Sequence, residues 1–286
     1  MMKVDKIVCQ LTQATAAHRQ DRIQSLWRGY GEVVRYALDN HPARSVVVKV
    51  VRPPAGAHPR KLRSYEVEAQ WYGEHADRCT SDARVPGCLG TWQSGSTSVF
   101  VLEDLHAAGF KQPLRPMDGN RYRLALSWLA NFHATFMGTA PDGLWEVGTY
   151  WHLATRPKEL RAMRDKRLRR MAPELDSQLN GARFQTFVHG DAKPANFLLS
   201  SDASAVAAVD FQYVGGGVGI RDVAYLLDDR MRPSARDALL DHYFDVFRRV
   251  LAPSWRSRAE AIEAEWRGLL PVAQLDFARF LDGWGA

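Results

Sequence analysis

The segment from Val188 to Asn196 constrains this chain more than any other, because it places a charged loop between two apolar stretches. Asp191, Lys193 and Asn196 lie close together in it, and a second carboxylate, Asp210, follows another apolar stretch. Carboxylate and amide oxygens are ligands that Mg²⁺ takes, and a neighbouring lysine can neutralise phosphate charge. The two loops together predict a phosphoryl-transfer site. Asp191 would accept a hydroxyl proton there, Lys193 would lie near the transferred phosphoryl group, and Asn196 and Asp210 would ligate the metal.

The spacing of these residues matches the catalytic segments of protein kinases. Asp191 and Asn196 stand five positions apart, as in the pattern H-R-D-L-x-x-x-N, and Asp210 with Phe211 stands where kinases carry D-F-G. The alternative is a polar turn between two strands, in which Asp191 and Asn196 are turn formers. Both motifs occur in the kinase order, which favours the catalytic interpretation.

A phosphoryl-transfer site also needs a phosphate clamp, and Lys49 is the candidate. It lies in a β-branched run at residues 45–51, where a buried lysine is costly unless it meets an anion. An edge-strand lysine that blocks aggregation is the alternative. Residues 61–76 have helical spacing and contain Glu66 and Glu68, either of which could pair with Lys49. The two glutamates are two positions apart and therefore lie on different faces of the helix.

Two hairpins are predicted around the nucleotide. Residues 21–27 and 32–38 form the first, and its loop contains Gly29 and Gly31, which would cover the phosphates. A plain hairpin turn would have the same sequence features. Residues 89–93 and 98–102 form the second hairpin, which leads into Glu103 and Leu105. The backbone there would form a hinge that meets the adenine edge.

The chain resembles the aminoglycoside phosphotransferase and choline kinase superfamily, and most closely its ecdysteroid-kinase-like branch. The resemblance covers residues 22–245, and it is carried by His189-Gly190-Asp191 with Lys193 and Asn196, by Asp210-Phe211-Gln212, by residues 219–227 and by Asn131-Phe132-His133-Ala134. It implies an α+β, bilobal, protein-kinase-like fold. The small antiparallel-sheet lobe would be residues 1–104 and the mainly helical lobe residues 105–286.

The same resemblance implies ATP and Mg²⁺ as cofactors and a hydroxylated small molecule as the acceptor. It also favours Glu68 over Glu66 as the partner of Lys49, because the pattern S-Y-x-V-E-x-x-W-Y resembles that of the family. Glu68 would then join Lys49, Gly29, Gly31, Glu103 and Leu105 in binding the nucleotide.

The segment after Asp210 argues against a protein kinase. Asp222 follows within twelve residues, three glycines lie between, and no Ala-Pro-Glu is present, so a peptide-docking platform has no room. A pseudokinase scaffold usually lacks one catalytic group, whereas this chain has the clamp lysine and the three loop residues. Asp222 itself could accept backbone amides of the catalytic loop or cap a helix.

The remaining apolar patterns predict helices. Residues 118–137 form a long helix with one aromatic face, on which His133 is expected to be a core histidine rather than a ligand. Residues 234–251, 256–269 and 272–281 are predicted as three closing helices.

The net charge of +6 raises the question of an anionic partner. Eight basic residues fall in residues 156–170, and they could form a rim that steers nucleotide or an anionic acceptor, or a solvated helix face. No other pattern suggests nucleic-acid binding. The three cysteines lack the spacing of a metal site, and the sequence shows neither a signal peptide nor a transmembrane run. These features predict a cytoplasmic protein without a membrane partner. We expect it to be a monomer or a homodimer.

The acceptor is the least constrained part of the prediction. Trp145, Tyr150 and Trp151 follow the long helix and could wall an acceptor pocket or pack the lobe. Such rings suit an apolar or steroid-like alcohol, or a quaternary ammonium group. A polycationic aminoglycoside would need an acidic pocket, and the acidic residues near the carboxy terminus are too scattered to predict one. We expect a nonpeptide alcohol, with choline-like and aminoglycoside acceptors left open.

Overall fold

The N-terminal part of the protein is an antiparallel sheet, with one helix before the first strand and one after the third. The structure is a computed structural model that describes residues 2–227 and 231–285. The strand order is β1-β2-β3-β5-β4, and every neighbouring pair is antiparallel. The elements are α1 (Val4–Thr12), β1 (Ala16–Ser25), β2 (Gly31–Asp39), β3 (Ser45–Val51), α2 (Pro59–Glu74), β4 (Cys88–Ser94) and β5 (Thr97–Glu103).

β3 lies inside this sheet because its run of valines can be buried on both faces. Val46, Val48 and Val50 pack in one cluster with Ile7 of α1. Side chains alternate along a strand, so Lys49 projects from the opposite face. Since β3 is flanked by β2 and β5, the edge-strand interpretation of Lys49 is wrong.

The predicted hairpins form, with some ends displaced. β1 begins at Ala16, earlier than predicted, because it pairs with β2 as far as Asp39. The polar residues of this edge strand gave no hydrophobic signal for its first half. α2 begins at Pro59 rather than at Lys61, since proline suits the first turn of a helix, where its missing N–H costs nothing.

The C-terminal part is mainly helical and carries two small sheets, β6-β8-β9 and β10-β7. This arrangement fits the predicted α+β bilobal fold. Its elements are β6 (Phe110–Pro113), α3 (Gly119–Thr135), α4 (Pro157–Ala162), α5 (Lys166–Asn180), β7 (Thr186–Val188), β8 (Phe197–Ser200), β9 (Val206–Ala208), β10 (Gly215–Gly217), α6 (Ile220–Leu226), α7 (Pro233–Val250), α8 (Pro253–Arg256) and α9 (Ala259–Gly283). In residues 2–227 and 231–285, no helix combines the length and apolar character that crossing a membrane requires.

The last two predicted helices are a single helix, α9, which continues through Pro271. Proline normally ends a helix, because it removes a hydrogen bond and clashes with the preceding turn. Here Trp266, Leu270 and Ala273 are buried on both sides of the proline. The apolar face continues into the core across Pro271, and its burial offsets the lost hydrogen bond.

The basic segment at residues 156–170 spans two helices rather than one. α4 ends at Ala162, and α5 begins after Asp165, whose carboxylate accepts the amide protons of Arg167 and Leu168. Seven of the eight basic side chains are exposed, as expected for a solvated helix face. Arg156 is the exception and is buried.

An aromatic cluster connects the two parts of the molecule. The ring of Phe211 stacks on Trp71 of α2 at 4.5 Å and lies 4.8 Å from the ring of His189. Trp128 and Phe132 supply the predicted aromatic face of α3, on which they stack at 4.9 Å. The cluster therefore joins α2, α3 and both polar loops through one buried contact surface.

We expect Phe211→Ala to lower the free energy of unfolding by about 3–5 kcal/mol, because it removes a fully buried ring between Trp71 and His189. Denaturant titration would measure the loss. Leu281→Ala is the control, since that side chain is 50% exposed. Equal stability of the two variants would contradict the packing described here.

Candidate active site

A buried carboxylate fixes the start of the catalytic loop at residues 189–196 through hydrogen bonds to its backbone. Asp222 of α6 accepts the backbone N–H groups of His189 at 2.6 Å and Gly190 at 3.0 Å. It also bonds Nε2 of His133, whose Nδ1 contacts the hydroxyl of Tyr243. Asp222 makes no capping bond for α6. The loop-supporting interpretation of Asp222 and the core interpretation of His133 are thus both confirmed.

Gly190 makes the backbone turn that directly precedes Asp191. Its φ is +76°, and a Cβ at this position would lie 2.2 Å from the carbonyl oxygen of Tyr213. His189 joins the two polar loops, since its Nε2 lies 3.1 Å from the carbonyl oxygen of Val209. Asp191 and Asp210 therefore stand on backbone segments that are tied to each other.

Asp191 is buried and held by three side chains. Its Oδ2 accepts from Lys193 Nζ at 2.7 Å and Asn196 Nδ2 at 3.0 Å, and its Oδ1 accepts from the Tyr225 hydroxyl at 3.2 Å. Burial raises the pKa of Asp191, an effect that the Lys193 ammonium partly opposes. Burial and the Asp191 charge raise the pKa of Tyr225, so its hydroxyl keeps its proton and donates it. Tyr225 was not predicted as a site residue, because residues 219–227 contributed only to the family resemblance and nothing in the sequence places this side chain beside Asp191.

Asp210 and Asn196 each have a side-chain oxygen atom without a hydrogen-bond partner among the described residues. The Oδ1 of Asp210 is buried without a hydrogen-bond partner among the described residues, and the Lys49 ammonium lies 3.6 Å away. Burial would raise the pKa of Asp210, but Lys49, Lys61 and Lys193 lower it below its ordinary value. Both bonds of Asn196 Nδ2 go to oxygens of Asp191, which leaves its Oδ1 for another partner.

This donor set fits Mg²⁺. The orphaned buried carboxylate oxygen of Asp210 and the amide oxygen of Asn196 are hard ligands, and Mg²⁺ in such sites takes one or two protein oxygens together with phosphates. Across residues 2–227 and 231–285, no cluster of three or more His, Cys, Asp or Glu side chains could hold a metal alone. Phosphate oxygens would therefore have to complete the coordination.

Lys49 pairs with Glu68. Its Nζ donates to the two carboxylate oxygens at 2.8 and 2.6 Å, and both side chains are buried. Burial alone would lower the pKa of Lys49, but the carboxylates of Glu68 and Asp210 raise it above the ordinary value. Glu66 lies on the exposed face of α2 and pairs with Arg63 at 3.3 Å. The structure thus supports Glu68, the residue that the family pattern favours.

A cavity of about 350 Å³, here called the hinge cavity, lies between the sheet and the turn after β5. Lys49, Asp210, Glu103 and Leu105 line it. The Glu103 carboxylate turns to Arg84 and the Gly87 amide, so only the backbone of Glu103 suits the predicted adenine contact. The adjoining Asp104 accepts from Arg35 at 2.7 Å and from Ser45 at 2.8 Å, and these bonds, which were not predicted, fix the turn.

The hairpin loop that contains Gly29 and Gly31 differs in detail from the prediction. Gly29 ends a short 3₁₀ turn with φ +73°, and neither it nor Gly31 lines the hinge cavity or the cavity beside Asp191. A Cβ on Gly31 would lie 1.9 Å from the carbonyl oxygen of Val50, so close packing on β3 requires glycine there. Trp27, from the same loop, lines a cavity instead.

A second cavity of about 510 Å³, here called the Asp191 cavity, opens on the other side of the catalytic loop. Tyr150 lines it, whereas Trp145 and Trp151 do not. Trp151 is only 1% exposed, donates its indole proton to Asp276 and packs on Tyr225 at 4.9 Å. Trp145 donates to the Gln212 carbonyl and stacks on Tyr213. The pocket interpretation is wrong for Trp151, which is a core residue covered by α9. Trp145 is half-buried against Gln212 and Tyr213 and lies outside this cavity.

We expect the Lys49 and Glu68 substitutions to be strongly non-additive, because each alone leaves a buried charge without its partner. In a double-mutant cycle with Lys49→Met and Glu68→Gln, free energies of unfolding should show a coupling of about 1–3 kcal/mol. Lys49→Met with Glu66→Gln is the control pair and should be additive. Coupling to Glu66 and not to Glu68 would contradict the pairing.

We expect the Lys61 side chain to make stability depend on alkaline pH. Burial lowers its pKa from 10.5 to about 8, an effect that Asp210 partly opposes. Between these values the unfolded chain binds a proton that the folded chain has lost, so raising the pH favours the folded state. The free energy of unfolding of the wild type, relative to Lys61→Gln, should therefore rise from pH 8 towards 10.5. Exposed Lys158→Gln is the control, and parallel curves for wild type and Lys61→Gln would refute the shift.

A family model described as the phosphotransferase enzyme family matches residues 22–261. No curated protein shows significant sequence similarity to the chain. The ecdysteroid-kinase-like branch stays a prediction, because the matched family is broader.

Solved structures share the fold at low sequence identity. A microcompartment-associated aminopropanol kinase has a TM-score of 0.53 and 16% identity, with 93% of this chain and 89% of that chain covered. A type VIII aminoglycoside-3'-phosphotransferase has a TM-score of 0.50 and 19% identity, with 90% and 93% covered. A thermostable mutant of aminoglycoside phosphotransferase APH(4)-Ia, in ternary complex with AMP-PNP and hygromycin B, has a TM-score of 0.53 and 15% identity, with 100% of both chains covered.

The family match spans most of the chain and includes both polar loops, the clamp lysine and its glutamate. The structure places these groups around one cleft, with Asp210 at the edge of both cavities. The chain therefore belongs to the phosphotransferase enzyme family, and it is an ATP-dependent phosphotransferase that acts on a hydroxyl group.

Proposed function

We propose that this phosphotransferase moves the γ-phosphoryl group of ATP to a hydroxyl of a nonpeptide small molecule, with ATP in the hinge cavity and the acceptor in the Asp191 cavity. One observation carries the proposal: Asp210 lines both cavities, and Asp191 stands on the wall of the second. ATP in the hinge cavity and the acceptor alcohol in the Asp191 cavity would meet at these two carboxylates.

The hinge cavity supplies the groups that a nucleotide needs. Lys49, positioned by Glu68, would bind phosphate oxygens, and the backbone of Glu103 and Leu105 would face the adenine. Mg²⁺, held by Asp210 and Asn196, would neutralise charge on the phosphates. The fold neighbour with AMP-PNP and hygromycin B gives a related example of a nucleotide beside a small acceptor.

The catalytic loop would handle the acceptor. The acceptor oxygen forms the new bond to phosphorus as the bond to the β-phosphate oxygen breaks, and Asp191 takes the hydroxyl proton. The raised pKa of Asp191 makes its carboxylate a better base. Lys193, which donates to Asp191, would balance negative charge on the transferred group.

The short segment between Asp210 and α6 supports a small acceptor. It contains β10, which pairs with β7 and lies against Trp145, so no extended platform for a peptide is present there. We place the boundary between the lobes after Asp104, at the turn that borders the hinge cavity. A steroid-like alcohol, as in the ecdysteroid-kinase-like branch, is one member of the proposed acceptor class, and Tyr150 would contact its rings.

A screen of hydroxylated metabolites tests this function. The protein is incubated with ATP and Mg²⁺, and mass spectrometry detects the gain of one phosphoryl group in an acceptor. The panel should contain neutral, cationic and anionic alcohols and one hydroxylated peptide. Phosphorylation of the peptide alone would overturn the small-molecule assignment, and no product from any member would count against the function.

We expect Asp191→Asn to reduce kcat with the identified acceptor by about 10²- to 10⁴-fold, because the amide cannot take up the proton. Nucleotide affinity should stay near the wild-type value, since Asp191 faces the other cavity. Calorimetric titration with AMP-PNP provides that control. Unchanged turnover would refute the role of Asp191.

A further inference from the structure

The Asp191 cavity carries more positive than negative charge. Arg60, Lys61 and Arg156 line one side of it and are here called the cationic arc. Lys193 adds a fourth cation at the catalytic loop. Among the described residues that line this cavity, the carboxylates are those of Asp191 and Asp210, both committed to the chemistry in the proposed function. A fixed excess of positive charge therefore faces the space where the acceptor would lie.

Two of the three cations of the arc have no carboxylate at ion-pair distance among the residues that the structure describes, and Asp210 offsets only part of the cost of burying Lys61. Arg60 donates to the backbone oxygen of Thr155 at 2.7 Å, and Lys61 donates to the side-chain oxygen of Gln212 at 2.5 Å. Both acceptors are neutral, and no carboxylate of residues 2–227 or 231–285 pairs with either cation. Arg156 has a carboxylate partner, Glu159, at 3.1 Å.

The cations of the arc also repel one another and their neighbours. Burial lowers the pKa of Arg156, and the nearby Arg60 lowers it further. Burial lowers the pKa of Lys61 to about 8, and Lys49 contributes to the shift. Keeping these charges together in a half-buried space costs free energy, which an anion between them would offset.

The arc is close to the base. The Nε of Arg156 donates to the Tyr150 carbonyl at 2.5 Å, and the Tyr150 hydroxyl lies 3.4 Å from that of Tyr225, which donates to Asp191. Tyr150 thus contacts Arg156 of the arc at one end and Tyr225, the hydrogen-bond partner of Asp191, at the other. A single small molecule could contact both the arc and Asp191. The guanidinium of Arg156 also stands 5.1 Å from the ring of Trp284 at the cavity mouth.

We propose that the acceptor is an anionic alcohol, a small molecule that carries a carboxylate or phosphate group bound by the cationic arc and a hydroxyl directed to Asp191. This inference rests on the proposed function and names its substrate class. The hydroxyl oxygen takes the γ-phosphoryl group of ATP, ADP leaves, and the hydroxyl proton goes to Asp191, while the anionic group is unchanged. Choline-like and polycationic acceptors are disfavoured, because the arc would repel them.

The kinetic test uses Arg60→Gln with the acceptors found in the screen. Loss of a charge-assisted contact should raise the KM of an anionic acceptor by roughly 10- to 100-fold, and the KM of ATP should stay within about twofold. Arg60→Lys should recover part of the loss. Arg164→Gln, from the same basic region of the chain but exposed and outside the cavity, should behave like the wild type.

Two kinetic outcomes would overturn the inference and leave the proposed function standing. The first is that the screen yields only neutral or cationic acceptors, such as a steroid alcohol. The second is that Arg60→Gln raises the KM of ATP as much as that of the acceptor, which would assign the arc to the nucleotide phosphates.

A binding test decides the inference if the screen yields no acceptor and the proposed function fails. The unfolding temperature is measured with Mg²⁺ and AMP-PNP present, while inorganic phosphate replaces chloride at constant ionic strength. The inference expects a saturable rise in the wild type and in Arg164→Gln, and its loss in Arg60→Gln. No rise in the wild type, or an equal rise in Arg60→Gln, would overturn it.

Discussion

The buried carboxylate of Asp222 supports the rest of the site. It accepts two backbone amides of the catalytic loop and bonds His133 from α3, so one side chain joins α3, α6 and the loop. A buried carboxylate is costly unless its oxygens are satisfied, and this one has three partners. Because the bonds go to backbone atoms, they fix the path of the loop. The positions of Asp191 and Asn196 depend on that path.

The second constraint is the contact between the sheet and the helical part. Lys49 on β3 bonds Glu68 on α2, and Trp71 of the same helix stacks on Phe211 beside Asp210. A charged contact and an apolar contact on one helix therefore set how Lys49 lies relative to Asp210. Displacing α2 would disturb both contacts, so this helix fixes the position of the sheet relative to the catalytic loop.

Charge is distributed unevenly along the cleft. In the described part of the chain, four carboxylates and three cations line the hinge cavity, namely Glu68, Glu103, Asp104 and Asp210 against Arg35, Lys49 and Lys111. In the Asp191 cavity the balance reverses, and the cationic arc faces only the two catalytic carboxylates among the described lining residues. In the proposed function, separate cations would serve the nucleotide and the acceptor, which would let two negatively charged substrates bind side by side.

The sequence alone determined which residues are candidates for the site, because motif spacing fixes residue types that lie close along the chain. Asp191, Lys193, Asn196 and Asp210 were proposed in this way, and the lysine strand and the helix that follows it were predicted from local patterns. The antiparallel hairpins and the aromatic face of α3 followed from local periodicity. These elements depend mainly on residues that are close in sequence, so the structure contains them as the sequence predicts.

Tertiary structure decided whatever depends on packing between distant segments. Trp151 is core rather than pocket because α9 covers it, α9 continues through Pro271 because its apolar face stays buried, and Gly31 is required by the carbonyl of Val50. Tyr225 and the cationic arc come from elements far apart in sequence, and no local pattern brings them together. The sequence therefore determined which polar residues are available to the site, and only the tertiary structure decided which charges line each cavity, because electrostatic complementarity depends on distances in space rather than along the chain.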